Sequence, residues 1–381
     1  MTEKDHNPSS THPPLPPTSE DEQFSRLRLL RSRRVGLTTY KRLLTEHGTA
    51  QNALAALPEV ARAAGVKGYE VCPEEVVKAE LRRAHAAGAR LIMQGTPAYP
   101  TMLDDVEDAP PFLWCLGDPE LLQRPMISLV GARNASSLGT RMARALAQDL
   151  GGEGYVVVSG LARGIDTAAH LAALPTGTIA VQAGGVDVIY PAENTQLAQD
   201  IAETGLRLSE QPMGLQPMAR HFPSRNRIIS GLSRATVVVE AAAKSGSLIT
   251  ARDALDQGRD VLAVPGHPFD ARAAGCNQLI RDGATLIRSA ADVVEALAPL
   301  SGDAPELPLE TPPPAPKKSS ALRDVAALHR QILARLSPAP LAEDQLIRDL
   351  AVAPAEVAPA LLDLEMDGKI ARRHGGLLSR A

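Results

Sequence analysis

The sequence is poor in the residues and patterns that mark several common classes of protein. Aromatic residues make up 3% of its 381 residues, so any stacking on nucleic-acid bases would use few side chains. The three cysteines, Cys72, Cys115 and Cys276, form no CxxC pair, which argues against a disulfide framework or a thiolate metal site. No apolar run is long enough to span a bilayer, and the N-terminus has no apolar signal region. We therefore expect a cytoplasmic protein with no membrane contact.

Two motifs that bind nucleotide phosphates are also missing. No GxGxxG follows a strand candidate, because Gly131 has no partner glycines at the right spacing, and Gly160 and Gly164 do not fit the pattern. The chain has no GxxxxGK[ST] sequence either. These absences argue against NAD binding and against a Walker-type ATP site, and we expect no cofactor and no metal.

Length and composition indicate a globular protein of two or three domains. With 44% hydrophobic residues the chain can build a packed core. Its formal net charge of -4 argues against a uniformly basic nucleic-acid binder but leaves room for a local basic patch. The sequence pattern predicts five ranges: a disordered tail (1–20), an N-terminal helical domain (21–95), an α/β core (96–300), a Pro-rich linker (301–322) and a small C-terminal domain (323–381).

The N-terminal helical pattern is interrupted around Gly36. A glycine hairpin between two short helices can present backbone N–H groups to a phosphate chain, and Arg33, Arg34 and Lys41 stand beside it. The end of a helical bundle with a solvated basic face fits the same residues. Both interpretations stay open, so a DNA contact here is one of two hypotheses.

From about residue 96 onward, short apolar runs alternate with helical patterns. The strand candidates are 127–130, 155–158, 178–181, 235–239 and 261–264. This alternation predicts a doubly wound parallel sheet, in which the loops leaving the carboxyl ends of the strands line one crevice. Three of these loops carry Gly with Ser or Arg, which predicts an anion site in that crevice.

Residues 222–255 concentrate the groups suited to binding phosphate. Residues 225–227, Arg-Asn-Arg, supply two guanidinium groups that can each bind a phosphate through two hydrogen bonds, and an amide that can contact a base or a sugar. After the strand candidate, Ser245-Gly246-Ser247 leads into a helical pattern, whose N-terminal N–H groups attract anions. A tight turn with solvated arginines is the alternative, but Lys244 nearby favours anion binding.

Asp166 and His170 lie four residues apart in a predicted helix. This spacing can orient a base or bind a metal. More often such an aspartate caps the helix N-terminus and such a histidine packs beneath the preceding loop. No further histidine or carboxylate is in sequence reach, so the pattern favours the capping role over catalysis.

Several motifs occur together in a fixed order between about residues 97 and 290. They are VGAR at 130–133, SGLARGID at 159–166 with His170, GVDVIYP at 185–191 with Asn194, SE at 209–210, FPSRNR at 222–227, SGSLIT at 245–250, PG at 265–266 and GCNQLI at 275–280. In this combination the chain resembles the DNA-processing protein A family, DprA, also called Smf.

The resemblance implies an extended Rossmann-like core that binds single-stranded DNA, forms a homodimer and loads the RecA recombinase onto the strand in natural transformation, without enzymatic activity. Family members often carry a lysine three residues before the phenylalanine of FPxRNR; here that residue is Ala219, and the adjacent Arg220 is the candidate substitute. The DNA-site candidates, from the resemblance and the residues together, are Gly131, Arg133, Ser159, Gly160, Arg220, Phe222, Arg225, Asn226, Arg227, Lys244, Ser245, Gly246, Ser247 and Thr250.

A nucleotide hydrolase is the alternative from the enzyme class. A superfamily of similar folds releases a base from a ribose monophosphate and uses a PGGxGTxxE loop where this chain has residues 240–250. That motif is missing, because the Pro265-Gly266 pair lies on a later strand candidate and no GxGT follows it.

The C-terminal range predicts three helices followed by a β-hairpin around Gly375-Gly376, an arrangement that resembles a winged helix. A helix that reads duplex DNA needs basic or amide residues. The third helix instead carries acidic residues, namely Glu356, Asp363, Glu365 and Asp367. A protein-contact or regulatory role is therefore favoured, with Arg372 and Arg373 in the wing as the features that would support DNA contact.

Overall fold

The computed structural model describes residues 20–298, 321–337, 339–373 and 376–380. The predicted tail, except its last residue, and nearly all of the predicted linker lie outside these ranges. The chain divides into two compact units, Met1–Leu300 and Ser301–Ala381. Within the described ranges, no helix has both the length and the apolar character that crossing a membrane requires.

Four helices open the first unit: α1 (Glu20–Arg31), α2 (Leu37–His47), α3 (Ala50–Ala63) and α4 (Glu74–Ala86). They confirm the predicted N-terminal helices. Their apolar side chains share a core with two aromatic residues of the sheet, Phe112 and Trp114. Glu80 of α4 joins the two parts, since its carboxylate accepts hydrogen bonds from Trp114 Nε1 at 2.9 Å and from Arg31 Nε at 2.9 Å. The helices are therefore packed directly against the sheet.

The first unit is built on a nine-stranded sheet. Its strands are β1 (Arg90–Met93), β2 (Phe112–Gly117), β3 (Met126–Gly131), β4 (Val156–Ser159), β5 (Thr178–Val181), β6 (Leu206–Ser209), β7 (Ala235–Glu240), β8 (Asp260–Ala263) and β9 (Thr285–Leu286). The spatial order is β1-β2-β6-β5-β4-β3-β7-β8-β9. Strands β3 to β9 are parallel, and β2 runs antiparallel to both β1 and β6.

The predicted parallel sheet is confirmed, and all five strand candidates are strands. Strands β1, β2, β6 and β9 were not predicted from the sequence. Residues 90–93 were predicted to belong to the N-terminal helical domain, whereas the structure pairs them with β2 as the edge of the sheet.

Eight helices accompany these strands: α5 (Thr101–Asp104), α6 (Ser137–Gly152), α7 (Ile165–Ala173), α8 (Thr195–Thr204), α9 (His221–Leu232), α10 (Ser247–Asp256), α11 (Ala274–Arg281) and α12 (Ala290–Leu297). They cover both faces of the sheet. Val237 of β7 packs in the core that includes α6 and α7, and its neighbour Val238 packs in the core that includes α9 and α10. A strand covered on both faces is apolar at every position, which is why these runs are continuous rather than alternating.

The direction in which successive parallel strands are added to the sheet reverses at β3. After β3 the chain adds β4, β5 and β6 on one side, then returns to place β7, β8 and β9 on the other side. The carboxyl ends of β3 and β7 are therefore neighbours from which the chain leaves in opposite directions. Ligands of open α/β sheets bind in the crevice at such a switch point.

The second unit contains α13 (Ala321–Arg335), β10 (Leu341–Ala342), α14 (Glu343–Leu350), α15 (Pro354–Met366), β11 (Ile370–Arg373) and β12 (Leu377–Arg380). Its strands form a separate sheet in the order β10-β12-β11. The predicted three helices and hairpin are confirmed. Buried Ile332, Leu346, Leu361 and Leu378 bring the helices and the hairpin together in one core.

Candidate functional site

A cleft of about 420 Å³ opens at the switch point, at the carboxyl ends of β3 and β7. Four short segments line it: the end of β3 with the loop that follows, the start of α7, the start of α9 and the start of α10. The lining residues are Val130, Gly131, Arg133, Ala162, Asp166, Phe222, Pro223, Arg225, Asn226, Ile229, Ser245, Gly246, Ser247, Ile249 and Thr250.

Two helices begin at this cleft. Helix α9 contributes Phe222 and Asn226 from its first turns, and α10 contributes Ser247 and Thr250. Neither first turn contains an acidic residue, and neither helix has a side-chain cap. Because a helix N-terminus carries a partial positive charge, the two helix starts make the cleft favourable for an anion.

Arg225 lies on the floor of the cleft. Its side chain is buried, and Nη1 donates to the carbonyl oxygen of Val181 at 2.9 Å. Its Nε has no hydrogen-bond partner within the described part of the chain. Burial lowers the pKa of Arg225 to about 10, opposed by the nearby Asp166 carboxylate, so the guanidinium stays charged at neutral pH. A buried cation with an unsatisfied donor therefore lies beneath the opening.

Asp166 organises the loop between β4 and α7. Its Oδ2 accepts from the backbone N–H groups of Gly160 and Ala162, each at 3.2 Å. Burial raises the pKa of this carboxyl, and the charge of Arg225 and the two N–H groups oppose that rise. His170 supports the same loop: Nε2 accepts from Leu161 N at 3.3 Å. His170 packs beneath the loop, as the sequence favoured. Asp166 does not cap α7, whose N-cap is Gly164 without a side-chain hydrogen bond; its carboxylate binds the N–H groups of the preceding loop instead.

Glu240, the last residue of β7, fixes the loop after β3. Its carboxylate accepts from the backbone N–H of Ser136 at 3.0 Å, and its carbonyl oxygen accepts from Ala132 N at 2.7 Å. A Cβ on Gly139 would lie 2.4 Å from Glu240 Oε2, so the close approach of α6 needs glycine there. Both carboxylates, Asp166 in the lining of the cleft and Glu240 at the end of β7, are thus engaged by backbone N–H groups.

A row of three side chains, Arg133, Phe222 and Tyr190, forms one rim of the cleft. The guanidinium carbon of Arg133 lies 5.2 Å from the Phe222 ring centroid, within cation–π distance. The Tyr190 ring centroid lies 5.8 Å from that of Phe222, with the ring planes inclined by 56°. Arg133 is exposed and has no ion-pair partner among the residues that the structure describes.

A smaller cleft adjoins the first on the Tyr190 side and shares Arg133, Ala162, Phe222 and Arg225 with it. Its remaining lining residues are Gly160, Arg163, Tyr190 and Pro191. The two clefts together form a continuous opening with aromatic and guanidinium groups along one side.

Most of the sequence-predicted residues meet at this opening. Nine of them line the main cleft: Gly131, Arg133, Phe222, Arg225, Asn226, Ser245, Gly246, Ser247 and Thr250. Gly160 lines the adjoining one. The other four, Ser159, Arg220, Arg227 and Lys244, line neither.

Arg227 does not line either cleft, although the sequence predicted that it binds phosphate. It is buried, with Nε 3.0 Å from Asp108 Oδ2 and Nη2 bonded to Glu210 Oε2. Its charge is therefore engaged within the protein. Ser159 is also buried, and its hydroxyl donates to the carbonyl oxygen of Leu129 at 2.6 Å.

Arg220 and Lys244 are exposed next to lining residues in the sequence, Arg220 at the N-cap of α9 and Lys244 in the loop before Ser245. Three lining residues with a charged or aromatic side chain were not proposed as DNA-site residues from sequence: Asp166, for which a capping role was favoured, Arg163 and Tyr190. The sequence feature that could have indicated Tyr190 is the small number of aromatic residues, since the chain has only five tyrosines, four phenylalanines and one tryptophan.

The predicted N-terminal hairpin lies between α1 and α2. The Arg33 guanidinium carbon is 6.0 Å from the Tyr69 ring centroid, and Lys41 Nζ donates to the carbonyl oxygen of Glu107. Arg33 and Arg34 are exposed. The contact of Lys41 is to a neutral carbonyl oxygen and leaves its charge in place, so all three basic residues still fit either hypothesis.

Comparison with known proteins identifies three matching family models. The DNA recombination-mediator protein A model matches residues 90–298, the DprA-like N-terminal HHH domain matches residues 20–83, and the DprA winged helix domain matches residues 311–376. DNA processing protein DprA of Streptococcus pneumoniae is 48% identical over 198 residues, which are 51% of this chain and 70% of that protein. Protein Smf of Escherichia coli is 36% identical over 310 residues, 80% of this chain and 81% of that protein.

Solved structures similar to the chain include two of DprA. That of DprA from Streptococcus pneumoniae has a TM-score of 0.61 at 36% sequence identity and covers 71% of this chain and 97% of its own. That of DprA from Helicobacter pylori, described for its single-stranded DNA binding mode, has a TM-score of 0.51 at 31% identity and covers 55% of this chain and 95% of its own.

Proposed function

The chain belongs to the DNA recombination-mediator protein A family, and we propose that it binds single-stranded DNA in the cleft at the carboxyl ends of β3 and β7. The observation that carries the proposal is Arg133, exposed and without an ion-pair partner among the described residues, over the Phe222 ring at the mouth of the cleft. A cation beside a partly exposed aromatic ring is the usual composition of a site for a single strand, where phosphates and base faces are both accessible.

Two features of the cleft, the helix starts that line it and the buried arginine beneath it, favour binding of a phosphate backbone. The starts of α9 and α10, each with the partial positive charge of a helix N-terminus, line it, and the buried charge of Arg225 lies beneath it. The solved relative from Helicobacter pylori binds single-stranded DNA, which supports the same class of ligand here. In a duplex the bases are stacked on one another, so their faces cannot reach a protein ring. We therefore expect preference for single strands.

The proposal extends to the role that the family resemblance implies. The protein would act in the cytoplasm as a homodimer, protect incoming single strands, and load the RecA recombinase onto them during natural transformation and recombination. Membership of a family of recombination mediators supports this extension. Loading requires that the strand stay accessible to a second protein, and an open cleft at the carboxyl ends of β3 and β7 fits that requirement.

The proposed role is binding rather than catalysis. Asp166, which lines the cleft, accepts from two backbone N–H groups, and Glu240 at the end of β7 accepts from Ser136, so both carboxylates serve the fold of the loops. Hydrolysis of a nucleotide at this cleft would require one of them to leave these partners. Incubation with nucleoside monophosphates should release no base, and release of base would support the hydrolase instead.

A binding titration with single-stranded and duplex DNA of equal length tests the proposal. A thymidine oligonucleotide should bind at least tenfold more tightly than the blunt duplex at the same salt concentration, since stacking on aromatic rings contributes about 1–3 kcal/mol per base. Equal affinity for the two would contradict the proposal.

A further inference from the structure

We infer that Tyr190 is a second base-stacking platform beside Phe222, so that the joined clefts bind two neighbouring bases of one strand. The inference rests on the proposed binding of single-stranded DNA and goes further, because it names a subsite for a nucleobase and the residue that recognises it. The evidence is the exposure of Tyr190, the charges around it, and the contacts that hold its loop.

Tyr190 offers more free aromatic surface than Phe222. The Tyr190 side chain is 49% exposed, in a chain with ten aromatic side chains in total. Phe222 is only partly exposed, and its ring already has the Arg133 guanidinium at 5.2 Å and the Tyr190 ring at 5.8 Å. Because the two rings are inclined by 56°, they do not cover each other face to face. Each ring can therefore take its own base.

Two arginines, Arg133 and Arg163, line the small cleft together with Tyr190. Arg163 forms an ion pair with Glu193 at 3.4 Å, and both side chains are 61% exposed. An exposed pair of this kind contributes little to stability, so Arg163 can exchange Glu193 for a phosphate at small cost. Aromatic and cationic groups at one subsite match what a nucleotide within a single strand presents.

The segment that carries Tyr190 is held in place on both sides. The amide of Asn194 donates to the carbonyl oxygen of Leu161 at 2.9 Å, and Gln182 Nε2 donates to that of Val188 at 2.8 Å. Asn194 and Gln182 are both buried. A platform fixed before binding loses little conformational entropy when a base stacks on it, which favours affinity.

The test separates base contacts from phosphate contacts. Wild type, Tyr190→Ala and Tyr190→Phe are titrated with a thymidine oligonucleotide and with an abasic oligonucleotide of the same length, which keeps the phosphates but lacks the bases. Tyr190→Ala should weaken binding of the thymidine strand by roughly 5- to 100-fold and leave binding of the abasic strand unchanged. Tyr190→Phe should bind both as wild type does, because the ring remains. Leu255→Ala, which removes another exposed apolar side chain from the far end of α10, is the matched control and should change neither.

The outcomes distinguish this inference from the proposed function. Wild-type affinity of Tyr190→Ala for the thymidine strand would overturn the inference alone. An equal loss for both strands would also overturn it, since a structural role or a lost phosphate contact gives that result. If wild type itself does not bind the thymidine strand, the proposed function fails and the inference with it. As a second measurement, irradiation of the complex with 5-iodouracil in place of thymine should crosslink Tyr190, and a crosslink at Phe222 alone would contradict the second platform.

Discussion

A Cβ atom on Gly160 would lie 1.7 Å from Nη1 of Arg225. The guanidinium of Arg225 thus lies directly against the backbone just after β4. Arg225 lines both the main and the adjoining cleft. Glycine is the only residue whose side chain leaves this space free. The two residues, 65 positions apart in the sequence, together set the floor of the proposed DNA site.

Gly160→Ala should therefore impair binding by displacing Arg225 from the floor. We expect the affinity for a single strand to fall at least tenfold, because one charge-assisted contact is worth about 1.5–3 kcal/mol. Fluorescence anisotropy with a labelled oligonucleotide measures the change. Gly152→Ala is the control, since a Cβ there has no atom within 4 Å, and it should bind as wild type does. Unchanged affinity of Gly160→Ala would show that the position of Arg225 does not matter for binding.

Arg227→Ala should reduce stability while the folded protein keeps its affinity for DNA. The substitution leaves the Glu210 carboxylate buried without its main partner, and breaking a buried ion pair typically costs about 3–5 kcal/mol. Urea unfolding at neutral pH measures the loss. Arg144→Ala, at an exposed position of α6, should unfold as wild type does. A stable Arg227→Ala protein with weakened DNA binding would restore the phosphate-binding role that the sequence alone had suggested.

Arg225 and Arg227 have different surroundings, and the sequence alone could not show this difference. Residues two positions apart in an α-helix are about 200° apart around its axis, so they point to nearly opposite sides. No secondary structure was predicted for residues 225–227. Without α9, the same phosphate-binding role was predicted for both arginines. With the helix known, one lies under the cleft and the other contacts Asp108 and Glu210.

The sheet was predictable only where its strands are continuously apolar. Strands such as β7 have helices on both faces, and their β-branched runs are therefore easy to recognise. Strand β6 was missed because it contains Arg207, which is buried there and bonded to Gln182 and to the Val186 carbonyl oxygen. Strand β9 has only two residues, Thr285 and Leu286, both exposed, and gives no hydrophobic signal at all.

Stability should fall between pH 7 and pH 5 through His170. Burial lowers the pKa of His170 to about 3, and the Arg225 charge adds to this effect. In the unfolded chain the imidazole has a pKa of about 6.5. Between these values the unfolded state binds the proton and the folded state does not, so acidification favours unfolding. The contribution of this one group is about 2 kcal/mol from pH 7 to pH 5.

Comparing wild type with His170→Gln isolates that contribution. Glutamine keeps an acceptor that can reach Leu161 N but does not titrate, so its unfolding free energy should depend less on pH by about 2 kcal/mol over the same interval. Urea unfolding at both pH values gives the difference, in which the carboxylates common to both proteins cancel. Identical pH dependence of the two proteins would contradict burial of a neutral His170.

Deletion of residues 301–381 should change the affinity for a single strand by less than tenfold. The lining of both clefts comes entirely from the first unit. On α15 of the second unit, Glu356 and Asp363 are exposed and would repel phosphate, and Arg372 in the wing is paired with Glu343 and Glu365. Quantitative mobility shifts of the full chain and the truncated chain check this, and a larger loss would assign the winged-helix unit to DNA binding rather than to protein contact.

The central claim is that the phosphate backbone of a single strand binds at the cleft through Arg133. Each phosphate contact that a cation makes releases counterions, so removal of the cation changes both affinity and its salt dependence. Arg133 is exposed and unpaired within the described residues, and its nearest described partner is the Phe222 ring. Its loss should therefore affect DNA binding without a large effect on the fold.

A salt titration of wild type and Arg133→Ala with a thymidine oligonucleotide tests this claim most directly. Arg133→Ala should bind about one to two decades more weakly, and the slope of log affinity against log salt should be less steep by about 0.7. Arg144→Ala removes an exposed arginine of α6, away from the cleft lining, and should keep the wild-type affinity and slope. If a folded Arg133→Ala protein keeps both the affinity and the slope of wild type, the strand does not bind at this cleft through Arg133, and the account is contradicted.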